Sequence, residues 1–86
     1  MNGFYNVNEV SKELKKWLRK FKNSHYMIVS DIKYLKTIIR FLDDSMLMRV
    51  QLYTEQKSQI VRELGRLSEC CSSEAGAQLV LIGYKL

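Results

Sequence analysis

The chain has 86 residues, of which 47 % are hydrophobic, with 14 Lys and Arg against nine Asp and Glu, two cysteines and no proline. That length is one small domain, which buries only about 60 to 65 % of the surface its unfolded chain would expose. The balance excludes disorder, whose signature is few apolar residues and a large net charge. No run of about 18 apolar residues offers a membrane span, and Met1 to Val10 lacks the basic start and apolar middle of a secretory signal. A cytoplasmic domain is expected.

The first element is a helix over residues 7–22. Asn6 with Glu9 three residues on is an Asn form of the capping box, and Val7, Val10, Leu14, Trp17 and Phe21 recur at helical intervals, with Leu18 widening the stripe. Lys12, Lys15, Lys16, Arg19, Lys20 and Lys22 then fall on the flanks and back. Asn23 and Ser24 end the helix.

A second helix is expected over 26–42, where Ile28, Ile32, Leu35, Ile39 and Leu42 keep the same rhythm and Ser24 or Ser30 can cap the start. A strand at His25 to Val29 competes with it, because periodicity cannot separate short apolar runs. Asp43-Asp44-Ser45 interrupts the pattern before Met46, Val50, Tyr53, Ile60, Leu64, Leu67 and Cys71 resume it. Either Asp44 or Ser45 caps a third helix over 46–72, or one helix of about 45 residues, on the order of 70 Å long, runs through and needs a coiled-coil partner. The break is the preferred reading.

Ser72 and Ser73 close that stretch, and Gly76 suggests a turn. The tail 77–86 carries the continuous run Leu79-Val80-Leu81-Ile82, either a short helix begun at Ser73 or an edge strand. Left unpaired it would aggregate, so it must be buried inside the monomer or at a dimer seam. Leu79, Leu81 and Ile82 are the candidates for self-association. The fold class is mainly α: a small helical bundle or hairpin of about three helices with a short apolar C-terminal segment, as a single domain over 1–86 that forms a homodimer.

Little chemistry is available. Cys70 and Cys71 are adjacent, which strains a disulfide between them, so both read as thiols. His25 is the lone histidine, no metal-ligand spacing or glycine-rich phosphate loop occurs, and Asp43 and Asp44 read as caps. No catalytic residue, metal or cofactor is expected, and the remaining job is binding. Residues 1–42 hold nine Lys or Arg against Glu9, Glu13 and Asp31, whereas residues 43–86 hold five against six acids. An anion-seeking surface therefore belongs to the N-terminal half, where Lys33, Lys36 and Arg40 can join the cations of the first helix.

The expected function is a small non-enzymatic regulatory protein whose basic helix meets an acidic partner, either a nucleic-acid backbone or an acidic protein surface. In outline, Leu14, Phe21 and Met27 are similar to the anchor spacing of a calmodulin-type target. An anionic membrane surface would draw Trp17 and Phe21 out of the core and ranks last. Two readings stand beside these: a coiled-coil adaptor or inhibitor acting through its apolar stripe, and a basic flank that merely solvates the fold.

Overall fold

The computed structural model describes residues 3–21 and 29–86, arranged as four helices: α1 (Gly3–Phe21), α2 (Val29–Leu47), α3 (Thr54–Ser68) and α4 (Ser73–Gly83). The expectations placed on Lys22, on the helix end at Asn23 and Ser24, and on His25 to Ile28 fall outside these residues. The bundle measures 37 × 18 × 18 Å. α1 packs against α2 and α4, α3 packs closely on α4, and α2 meets α3 only sparsely, so α4 lies between α1 and α3. No helix among the described residues is long and apolar enough to cross a membrane.

The stripe read from the first helix is the core side of α1: Val7, Val10, Leu14, Trp17 and Leu18 are buried, with Phe21 packed at the edge. They meet Leu35, Ile38, Ile39 and Leu42 of α2, Leu52 of the loop, Ile60, Leu64 and Leu67 of α3, and Ala75, Leu79 and Ile82 of α4 in one cluster. The helix begins earlier than expected. Nothing from Phe4 to Asn6 opposes helix, so Asn6 sits inside α1 instead of capping it. Ser30 likewise lies inside α2, and Val29 is helical, not part of a strand.

The break between the second and third helices falls at residues 48–53 and not at Asp43-Asp44-Ser45, so neither a third helix over 46–72 nor a single long helix forms. Two side chains explain why α2 continues. Asp43 is held by groups on α1, and the Ser45 hydroxyl donates back to the Phe41 carbonyl at 3.0 Å, a bond made within a helix and not at its start.

α2 ends where Val50 N–H donates to the Ser45 carbonyl at 2.9 Å and Arg49 N–H to the Met46 carbonyl at 3.2 Å. This pair of bonds is a Schellman cap. It requires a left-handed residue, and that residue is Arg49, at φ 56°. Glycine takes this conformation without the Cβ penalty, which outweighs its added unfolded-state entropy. Arg49→Gly is therefore expected to stabilise by up to about 1 kcal/mol and to raise the melting temperature by about 3 to 6 °C. Calorimetry showing no rise would contradict this account of the cap.

Leu52 is buried and pins the connecting loop to the core, while Val50 and Tyr53, expected on the buried stripe, are 50 % and 76 % exposed. α3 then starts with the Tyr53 N–H donating to the Gln56 Oε1 at 2.8 Å. The tail is the helix alternative, not the strand: the Ser72 hydroxyl accepts the Ala75 N–H, and α4 follows. Gly76 is inside that helix and not at a turn. A Cβ there would lie 2.6 Å from the Ser68 carbonyl oxygen, so glycine is what lets α4 cross so close to the end of α3.

Candidate functional site

The α1–α2 pair is built around a polar contact at its centre. Ser11 lies on the core side of α1 among valines and leucines and is buried, and a buried hydroxyl needs a partner. It donates to Asp43 Oδ1 at 2.5 Å, while the Lys15 ammonium, one turn on, lies 2.9 Å from Asp43 Oδ2. Asp43 is thus a tie between helices and not the cap that was expected.

The same contact fixes the register of the hairpin. Asp43, late in α2, lies beside Ser11 and Lys15, mid-way along α1, as an antiparallel pair requires. Arg40 and Lys36 precede Asp43 by three and seven positions and so share its side of α2, with Lys33 on the same flank; Arg19 follows Lys15 by four and shares its side of α1. The seam is therefore lined from both helices by exposed cations: Lys15 and Arg19 on one, Lys33, Lys36 and Arg40 on the other.

For Asp43, burial alone would raise the carboxyl pKa, but the hydrogen bonds from Ser11 and Lys15 and the Lys15 charge outweigh it and hold the group below its ordinary 3.8. A depressed carboxyl contributes stability that is complete above its unfolded pKa and is lost as the pH falls through its folded value. Urea midpoints measured from about pH 6 down to about pH 2 should therefore fall, and Asp43→Asn should remove part of that dependence. Equal slopes for the two proteins would show that the tie contributes nothing.

The remaining α1 cations take the other flank. Lys12, Lys16 and Lys20 stand one above another at intervals of four along a groove of about 880 Å³ between α1 and α4, in which Trp17, Leu81 and Ile82 supply apolar surface. Glu9 and Glu13 line it too, and Glu13 is engaged at 2.5 Å by Lys85, just beyond the end of α4. The Lys20 ammonium lies 5.2 Å from the centre of the Phe21 ring. What the sequence presents as one basic run is thus two surfaces, a seam with α2 and a groove with α4.

Of the three self-association candidates, Leu79 and Ile82 are taken up by the core of the monomer, and Leu81 alone is exposed, at 61 %. Cys70 and Cys71 are free thiols; burial pushes the Cys71 pKa up, and its S–H donates to the Leu67 carbonyl. Among the described residues, no three His, Cys, Asp or Glu side chains stand together as a metal site.

Sequence reasoning missed Ser11 and the Glu13–Lys85 pair. Ser11 had a signal, as a polar residue between Val7 and Leu14 on a stripe otherwise apolar. Glu13 and Lys85, separated by 72 positions, had none. The chain matches no family model, no curated protein and no solved structure.

Proposed function

We propose that this is a small non-enzymatic regulatory protein that binds the phosphate backbone of nucleic acid through the exposed face of α1 and α2. One observation carries the reading: five exposed cations, Lys15 and Arg19 of α1 with Lys33, Lys36 and Arg40 of α2, line the seam of a single hairpin. Asp43, set among them, is already occupied by Ser11 and Lys15, and the exposed Asp44, four positions beyond Arg40, is the other carboxylate on that side. Glu9 and Glu13 belong to the groove with α4. Lysine outnumbers arginine, and Trp17 and Phe21 of α1 are packed against the core, so the contacts suit phosphates and not bases, and binding is sequence-independent.

The test is affinity for duplex and single-stranded DNA and RNA across a salt series. The logarithm of the binding constant should fall linearly with that of the salt concentration, with a slope of about −0.9 for each duplex phosphate neutralised. Absent or salt-insensitive binding would sink the proposal.

A second reading is favoured by the groove between α1 and α4. Its apolar floor at Trp17 and Leu81 beside the Lys12, Lys16, Lys20 column suits an acidic amphipathic helix of another protein. Leu81→Asp separates the two, since it lies off the α1–α2 seam: loss of binding to an acidic helical peptide with DNA affinity unchanged would support the groove reading.

A further inference from the structure

We infer that a second copy of this chain docks on the face formed by α2 and α3, through a surface separate from the cations. Because these two helices pack sparsely, a cleft of about 320 Å³ opens between them. Ile38 and Ile60 form its apolar base, and the rings of Tyr34 and Phe41 stand along α2 as its wall. The loop that joins the same helices adds exposed apolar side chains: Met48, Val50 and Tyr53, with Leu47 at the end of α2, are between 50 % and 84 % exposed. Large exposed apolar side chains scattered singly need no explanation, but among the described residues most of them belong to α2 and the loop that follows it.

Charge decides what covers that side. Glu63 is the one charged residue lining the cleft, and Arg66 neutralises it at 3.0 Å while lying over the Tyr34 ring at 5.6 Å. The rim is made of Thr37, Gln56 and Gln59, which donate and accept hydrogen bonds equally well. A two-fold contact sets a surface against itself, so it must be self-complementary; neutral rings, aliphatic groups and amides satisfy this, and a row of cations does not. Each chain carries a net charge of +5. Two copies therefore repel through the α1–α2 face and can meet through the α2–α3 face, which leaves both basic faces outward. A strongly acidic or basic partner would find no complementary charge in the cleft.

Light scattering and sedimentation velocity on the full chain, from about 1 to about 200 μM, test this. A monomer–dimer equilibrium is expected. Phe41→Glu, at a half-exposed position, should raise the dimer dissociation constant at least about tenfold with unchanged helix content. Tyr53→Lys, at a site 76 % exposed whose capping bond is made by the backbone N–H and is kept by lysine, should do the same, whereas Leu81→Asp should leave the dimer intact. A chain monomeric throughout that range, as expected if the cleft receives a helix of some other protein, would overturn the proposal. So would a dimer indifferent to both α2–α3 substitutions.

Discussion

Truncation of Trp17 to alanine is expected to destabilise the domain by about 3 to 5 kcal/mol, which is the cost of emptying a buried aromatic site. A chain of this size has a total stability of about 4 to 13 kcal/mol, so the variant loses about a quarter or more of its margin. Trp17 is 3 % exposed, and its indole N–H donates to the Ala75 carbonyl at 2.9 Å, joining α1 to the first turn of α4. Two losses add: the ring volume between α1 and α4, and the buried side-chain hydrogen bond that ties α4 to α1. Trp17→Phe separates them, because it keeps most of the apolar volume and should cost about 1 to 2 kcal/mol. Circular dichroism melts provide the measurement, with a fall of about 15 to 30 °C expected for alanine. Equal losses for the two variants would place the whole effect in the hydrogen bond, and a small loss for alanine would show that α4 is held by other contacts.

The second large effect concerns binding. Replacing Arg19, Lys33, Lys36 and Arg40 together by glutamine should make the salt slope of duplex binding less negative by about 3 to 4, if each cation meets one phosphate. In the native chain those four contacts correspond to about a hundredfold loss of affinity between about 50 and 200 mM salt, which the variant should not show. Glutamine is chosen because it keeps the helix-forming aliphatic stem. Lys15 is left in place: its ammonium pairs with Asp43, and removing it would loosen the hairpin as well as the binding face. A slope unchanged in the variant would mean that phosphates are met elsewhere or not at all.

The contrast between Lys15 and its neighbours shows where the sequence stops being readable. The stripe from Val7 to Leu18 was legible because a strongly one-sided helix on the edge of a bundle buries one face only. The tail was ambiguous for the opposite reason. α4 buries Leu79 and Ile82 but carries Leu81 on its exposed side, so its apolar residues run on across both sides, and such a run fits helix and strand alike. The end of α2 was misplaced because its cues came from afar. Asp43 reads locally as a cap, yet Ser11, 32 positions away, satisfies it, and the true cap uses Arg49 where a glycine would have signalled the stop. The cleft between α2 and α3 left no mark at all, since Tyr34 and Phe41 fit an amphipathic helix whether or not a neighbour covers them.

Trp17, the only tryptophan of the chain, also gives the molecule a built-in optical reporter. Its indole sits in an apolar, hydrogen-bonded setting that water does not reach, so its emission belongs to the blue end of the tryptophan range and moves to longer wavelength only when α1 and α4 part. Exposed cations on the α1–α2 seam can be exchanged without altering that signal, which then certifies that a lost affinity is not a lost fold. A ligand laid along the groove beside α4 would change it, and one laid along the seam would leave it dark to the encounter.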